Sequence, residues 1–319
     1  MRALVTGASG FVGQWLCREL LHEGWDVVGT RLGEEPPAGA LSAAERGAVR
    51  WLPCDVTDGA DVRSALDVAL PDALFHLAGI ASVPEAGADP ARALAVNAGG
   101  AARLLAEVGA RRRAGTLDPV VLVVGSGEQY GRHEAAEQPL GEGAEQRPLN
   151  AYAASKAAQE VVALSAWRAT GARVVVTRSF NHSGPGQSDR FVLPALVRRA
   201  LALRGSGARA LALGNTTPVR DFLHVADVAR AYRLLAARGA AGESYNVASG
   251  VGVDVATLAG RVLALVGADA KLQSDPALVR PVEVPVLVGS PAKLHAATGW
   301  TAERTLDSII DDLIRATPR

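Results

Sequence analysis

The sequence predicts an α/β protein in which a doubly wound parallel sheet carries a smaller, discontinuous α/β lobe. Three observations predict it. Arg2 to Thr6, a short β-rich run, passes through a glycine-rich turn into a segment with helical periodicity. Short apolar runs then alternate with helix-like segments as far as Ser179, and beyond Asn181 the alternation loosens into stretches rich in Gly and Pro. Alternating strands and helices, with strands apolar throughout, are the pattern of a parallel sheet covered on both faces.

Bulk composition narrows the function. The 319 residues are ample for a sizeable core, and 49% apolar with only 4% aromatic residues is an aliphatic, globular composition. Lys+Arg 33 balances Asp+Glu 33, so charge gives no case for nucleic acid or an anionic membrane as partner. Any anion must be bound locally. Cys17 and Cys54 lack Cys-x-x-Cys spacing, which predicts reduced thiols in a cytosolic setting. The six histidines show no ligand spacing, so no metal is expected. No apolar run approaches a membrane span, and Met1-Arg2 leads into a strand rather than a signal segment, so a cytoplasmic protein is expected.

The elements follow in order. Arg2 to Thr6 is the first strand, ended by Gly7-Ala8-Ser9-Gly10-Phe11-Val12-Gly13, and Gln14 to Glu23 is helical. Strand, glycine turn and helix N-terminus together form a dinucleotide cradle: glycines admit the pyrophosphate and free amides attract it, which makes the sheet Rossmann-type. The spacing is G-x-x-G-x-x-G. Asp26 to Thr30 is the second strand, and at its end stand Thr30 and Arg31 where a ribose-binding acid would mark NAD. A guanidinium there suits a 2′-phosphate, so NADP(H) is preferred and NAD(H) remains possible. Gly33 to Ala40 reads as an exposed loop.

Val49 to Leu52 is a third strand, leading to Asp55-Val56. Asp55 is placed to accept from the adenine amino group; Asp55 or Asp58 is equally placed to cap the helix from Gly59 to Ala69. Ala73 to Ala78 is a fourth strand, and its end at Leu77-Ala78-Gly79 is small enough for a ribose to approach, with His76 a satisfied core histidine. One helix is expected from Pro90 to about Arg113, with Asn97 bonded to nearby backbone. Val120 to Val124 is a fifth strand. Ser126 follows at its carboxyl end, where open α/β sheets bind ligands. Val124 and Glu128 stand where a nucleophile elbow needs glycine, so Ser126 is assigned hydrogen bonding, not attack.

Asn150 opens a helical run in which Tyr152 and Lys156 lie four apart on one face. A nearby ammonium favours the phenolate, which makes Tyr152 a candidate acid/base drawn toward neutral pH by Lys156. Arg173 to Ser179 is the sixth strand. Helix at Phe191 to Leu203 and strand at Ala210 to Leu213 come next, then helix at Asp227 to Arg238, strand at Ser244 to Val247, and helices at Val255 to Val266 and Thr305 to Ile314. The expected division is a dinucleotide domain over residues 1–180, to which 220–250 return, and a substrate lobe from 181–219 plus 275–319. In the lobe, Arg220 and Arg280 are candidates to hold a diphosphate bidentately and Glu283 to accept from a ribose diol; each has an ordinary surface ion pair as its alternative.

Together, Gly7 to Gly13, Asp55-Val56, His76 to Gly79, Ser126 before Tyr130-Gly131, and Tyr152-x-x-x-Lys156 resemble the extended short-chain dehydrogenase/reductase family of nucleotide-sugar epimerases, dehydratases and reductases, over essentially the whole chain. The resemblance implies that Ser126 and Tyr152 bond the sugar oxygen at C4, that Tyr152 moves the proton and that Lys156 holds the cofactor ribose. It implies substrate contact for Asn181, Arg220, Arg280 and Glu283, and a homodimer built through two helices of each subunit. Glu128 stands where dehydratase relatives carry a glutamate for C5 proton abstraction, and reductase relatives carry it too. Phe180 to Gln187, Val219 to Phe222 and Arg280 to Pro285 are most similar to GDP-4-keto-6-deoxy-D-mannose reductases, which make GDP-rhamnose. Gly184 to Gln187 lacks the arginine pair of GDP-mannose 4,6-dehydratases, and Gly127 stands where relatives carry a second Ser or Thr. The implied activity is NAD(P)H-dependent reduction of the C4 ketone of a GDP-linked 4-keto-6-deoxy sugar. A 4,6-dehydratase, a 4-epimerase or a catalytically silent dinucleotide sensor are the alternatives.

Overall fold

The computed structural model describes residues 1–33, 39–206, 209–278 and 284–317. Its strands are β1 (Arg2–Thr6), β2 (Asp26–Arg31), β3 (Arg50–Pro53), β4 (Ala73–His76), β5 (Val120–Ser126), β6 (Arg173–Ser179), β7 (Asn181–Ser183), β8 (Ala210–Leu213), β9 (Val219–His224), β10 (Ser244–Val247), β11 (Gly252–Asp254), β12 (Lys271–Ser274) and β13 (Val286–Leu287). Its helices are α1 (Phe11–His22), α2 (Ala43–Ala48), α3 (Gly59–Ala69), α4 (Val83–Ala88), α5 (Pro90–Leu94), α6 (Gly100–Arg113), α7 (Ala151–Thr170), α8 (Val192–Ser206), α9 (Val225–Arg238), α10 (Val255–Val266), α11 (Ala292–Thr298) and α12 (Leu306–Ala316).

Among the described residues the central sheet is seven-stranded, in the order β10-β6-β5-β4-β1-β2-β3, and every pair is parallel. Successive strand residues point to opposite faces, so apolar runs feed two cores at once. Val5, Phe75 and Leu122 pack with Leu16 and Leu20 of α1 and Tyr232 and Leu235 of α9. Their neighbours Leu4, Leu74, Val121 and Val123 pack on the other face with Leu66 of α3, Leu104 and Val108 of α6 and Ala163 of α7. This is the expected Rossmann-type fold. The order reverses between β1 and β4, which places a crevice at the carboxyl ends of those strands.

The remaining strands form a smaller sheet, β11-β9-β13 with β7 on β9, and a β12-β8 pair. A separate apolar cluster joins Leu193 and Val197 of α8, Leu258 and Val262 of α10, and Ile309 and Ile310 of α12. The packing departs from the expected division in two places. Residues 219–224 pair within the smaller sheet, so the chain returns to the central sheet only from α9 onward. Leu294 and Trp300 join the main core, the indole Nε1 donating to Asp227 O at 3.0 Å. Residues 255–266, which that division assigned to neither unit, pack as α10 with α8 and α12. The single helix expected from Pro90 is also interrupted, by a π turn over Ala95–Gly99. No helix among the described residues is long and apolar enough to cross a membrane.

Candidate active site

The cofactor cradle begins with steric necessity. Gly7 adopts φ 70, and a Cβ there would lie 2.8 Å from Ala78 N. A Cβ on Gly13 would lie 2.3 Å from Gly7 O, so only glycine lets α1 start this close to β1. Gly10 is the N-cap of α1 and makes no side-chain cap bond, and no acid stands in the first turn. The amides of Phe11 and Val12 are therefore not covered by a cap, as an anion requires. These residues fit a dinucleotide.

The remaining cofactor candidates line the same strand ends. Arg31 is the last residue of β2 and half-buried, and its Nε and Nη1 are buried without a hydrogen-bond partner among the described residues. Buried guanidinium donors left unmet point to a ligand that meets them. Asp58, not Asp55, caps α3, accepting from Ala60 N at 2.6 Å. Asp55 Oδ1 instead accepts from Thr57 N and Oγ1 at 2.8 and 2.7 Å, and these bonds hold its carboxyl below the usual range. Val56 is buried, and Leu77 and Ala78 are tied to β1 through Thr6. His76 is only half satisfied: Nδ1 shares a 2.9 Å bond with Thr6 Oγ1, while Nε2 has no partner among the described residues. Burial, helped by the Lys156 charge, pushes it down to about 3, so it is neutral.

Tyr152 and Lys156 are aimed by the start of α7. Asn150 Oδ1 accepts from Ala153 N at 2.8 Å, which fixes the first turn. Lys156 Nζ donates to Val124 O and Gln159 Oε1, both at 2.8 Å, and burial lowers it to about 8. A Cβ on Gly79 would lie 3.6 Å from Nζ, so the ammonium also faces the end of β4. The Tyr152 phenol is pushed up to about 12, chiefly by burial; a hydrogen bond to the Ser126 side chain opposes this and the Glu128 charge adds to it. The expected downward pull from Lys156 does not decide the outcome. Its ammonium is engaged by Val124 and Gln159, and desolvation of the phenol dominates.

Ser126 ends β5 and is buried, its Oγ accepting from Glu128 N at 3.2 Å. Glu128 is half-buried, and its Oε2 accepts from Asn150 Nδ2 at 3.4 Å. On the substrate side, Asn181 opens β7, which runs parallel to β9 with Asn181 opposite Phe222. Arg220 lies two residues earlier on β9, its Nη1 donating to Val219 O at 2.9 Å. Asn181 and Arg220 thus share one small sheet. Arg280 and Glu283 lie outside the described residues.

Sequence reasoning singled out Asn97 but not its partners, and it missed other residues that hold this site together. Asn97, in the π turn, accepts from Ile80 N at 2.8 Å and donates to Ile80 O at 3.1 Å and Ser155 Oγ at 2.8 Å. It ties the end of β4 to α7 beside Tyr152. Buried Glu160 pairs with Arg178 through Nη2 at 2.7 Å and Nε at 2.9 Å. Gln129 bridges Ser126 and Glu160. Buried Asp221 accepts from the backbone of Ser249, Gly250 and Gly289, joining β9 to the chain on either side. The available signal was a polar residue inside an apolar run, as at Asn97; its partner was not encoded nearby.

Comparison with known proteins places this geometry. The family model for GDP-mannose 4,6 dehydratase matches residues 4–313. GDP-6-deoxy-D-mannose reductase of Pseudomonas aeruginosa is 37% identical over 308 residues, covering 96% of this chain and 93% of that one. Among solved structures, RMD from Pseudomonas aeruginosa complexed with NADPH superposes with a TM-score of 0.82 at 33% identity, covering 99% of this chain and 98% of that one. The UDP-glucose 4-epimerase of Thermus thermophilus in complex with NAD gives a TM-score of 0.84 at 28% identity, with coverage of 99% and 98%. The glycine cradle, the Ser126, Tyr152 and Lys156 cluster and these matches together place the chain in the GDP-mannose 4,6 dehydratase family of the extended short-chain dehydrogenase/reductases, the nicotinamide-dependent oxidoreductases of nucleotide sugars.

Proposed function

We propose that this chain reduces the C4 ketone of GDP-4-keto-6-deoxy-D-mannose to give GDP-rhamnose, with NADPH as reductant. The observation that carries the reading is the Ser126–Tyr152 pair. A phenol pushed up to about 12 keeps its proton at neutral pH, and the Ser126 side chain, which acts to lower it, stands within reach of the phenol. A ketone oxygen between them gains charge as C4 is reduced, and it takes a hydrogen bond from Ser126 and the proton from Tyr152. Bound with its pyrophosphate over Gly7 to Gly13, the cofactor supplies the hydride. Lys156 would hold the cofactor ribose. Carbon gains hydride and oxygen gains a proton, so the ketone becomes an alcohol.

Arg31 supports NADPH over NADH, because a 2′-phosphate would meet the donors that stand unmet. The NADPH complex of the Pseudomonas aeruginosa relative agrees with that choice. Asn181 and Arg220, with Arg280 and Glu283, are the proposed substrate contacts. The cytosolic setting is proposed from the two buried free thiols, and the homodimer from exposed Leu94 and Val161 on α5 and α7, helices that pack together.

Glu128 favours a second reading. Its charge reaches Tyr152, and a carboxylate so placed could abstract a C5 proton in a 4,6-dehydratase. Stoichiometry separates the two. Supplied with GDP-4-keto-6-deoxy-D-mannose, the reductase consumes one NADPH for each sugar and yields a 4-hydroxy product. Conversion of GDP-mannose with no net NADPH consumption would replace the reductase reading with the dehydratase one.

A further inference from the structure

The Ser126 hydroxyl does not reach Tyr152 through the backbone of one element, since β5 carries one and α7 the other. Two buried links join these elements. Lys156 donates to Val124 O, two residues before Ser126. The second link is longer and lies behind the site. Gln129 is fully buried, and its Oε1 accepts from Ser126 N at 2.7 Å while its Nε2 donates to Glu160 Oε2 at 2.7 Å. Glu160 stands four residues beyond Lys156 on the same face of α7.

Glu160 is in turn fully committed. Its Oε1 accepts from Arg178 Nη2 and Ser244 Oγ, both at 2.7 Å, and its Oε2 accepts from Arg178 Nε at 2.9 Å besides Gln129. Arg178 sits on β6 directly opposite Gly125, and its Nη1 donates to Tyr130 OH and Glu142 O, both at 2.9 Å. Tyr130 continues to Asn246 Oδ1 at 2.7 Å. The carboxylate thus cannot shift without breaking several charge-assisted bonds. Gln129 Oε1 packs against Gly125, where a Cβ would lie 2.5 Å from it, so glycine is what leaves the amide its place.

We propose that Gln129, braced by Glu160, is a positioning residue that sets the Ser126 hydroxyl against the Tyr152 phenol. The inference rests on the reductase reading and adds to it: the amide is fully buried among protein partners and is argued to act through Ser126. It matters most in the loaded enzyme. There Lys156 also serves the ribose, and the Gln129–Glu160 link is the one that stays wholly within the protein.

The test is a double-mutant cycle read in steady-state kinetics with NADPH and GDP-4-keto-6-deoxy-D-mannose. Gln129→Met keeps the length of the side chain but breaks its hydrogen bonds to Ser126 and Glu160, and a third from Nε2 to Gln146 Oε1 at 3.2 Å. It is expected to lower kcat by roughly 10- to 100-fold, the scale of a misplaced reacting group, with KM for NADPH unchanged. In a Ser126→Ala background the same substitution is expected to cost less than about twofold, because the hydroxyl it positions is gone. Equal losses in both backgrounds would overturn the proposal, since a general loosening of the fold does not depend on Ser126. Unchanged kcat for Gln129→Met would overturn it too. Gln129→Asn, too short to reach both partners, carries the same expectation and replaces Gln129→Met should that variant fail to fold. If Ser126→Ala or Tyr152→Phe alone leaves turnover intact, the reductase reading falls first, and the positioning role falls with it.

Discussion

At neutral pH a phenol pushed up to about 12 holds its proton, so Tyr152 enters a reduction as an acid, already carrying what it must give. Spacing alone places Tyr152 and Lys156 on one face, but burial of the phenol is set by the elements around it, which the local sequence does not name. Arg31 was legible for the opposite reason. Its significance depends on a local fact, a guanidinium at the end of the second strand where an acid would mark NAD. The structure adds that its Nε and Nη1 lack partners among the described residues. Arg31→Glu is therefore expected to raise KM for NADPH by roughly 10- to 100-fold, the range of one lost charge-assisted contact. KM for NADH should move less than about threefold on the same grounds. Steady-state titration of both cofactors checks it, and equal losses would contradict the 2′-phosphate role.

Elements were legible where apolar periodicity is strong. Residues 59–69, 173–179, 244–247 and 255–266 fold as expected because each buries a continuous face. The stretch from Pro90 was misread because a side chain overrides its periodicity: Asn97 turns to Ile80 and Ser155, and the backbone opens into a π turn to let it. The brace behind α7 escaped for a related reason, since Glu160 and Gln129 are 31 positions apart and only the fold joins them. Burial acts to raise the Glu160 carboxyl, but Arg178, Ser244 and Gln129 outweigh it and hold the group below its ordinary 4.5. A depressed folded value contributes stability that is present above the unfolded value and lost as pH falls through the folded one. Between pH of about 7 and about 3, Glu160→Gln should thus lose less of its Tm than the parent chain does, because it has no carboxylate to protonate there. At neutral pH the variant should be less stable by about 3–5 kcal/mol, the cost of leaving a buried partner charge unpaired. Thermal melts across that range decide it, and parallel pH profiles would contradict the pairing.

For the whole molecule, the doubly wound sheet was legible from alternation, and its strand order puts the crevice between β1 and β4 where the glycine turn and Gly79 meet. The lobe was only partly legible. Its strands are short, its α10 and α12 faces are ordinary amphipathic stripes, and nothing in their sequence says which core they enter. Which surface meets a second copy is likewise a property of the assembled chain. Val161 is 65% exposed on α7 and Leu94 45% exposed on α5. If they lie in a subunit contact, Val161→Glu should convert a two-chain particle to a single chain in light scattering; an unchanged mass would place the contact elsewhere.

The most direct measurement concerns the proton. With saturating NADPH and GDP-4-keto-6-deoxy-D-mannose, Tyr152→Phe is expected to lose about 10²- to 10⁴-fold in kcat while still binding NADPH, the scale of a missing general acid. A phenylalanine variant that oxidises NADPH within a few-fold of the parent rate, forming the same 4-hydroxy sugar, would contradict the account.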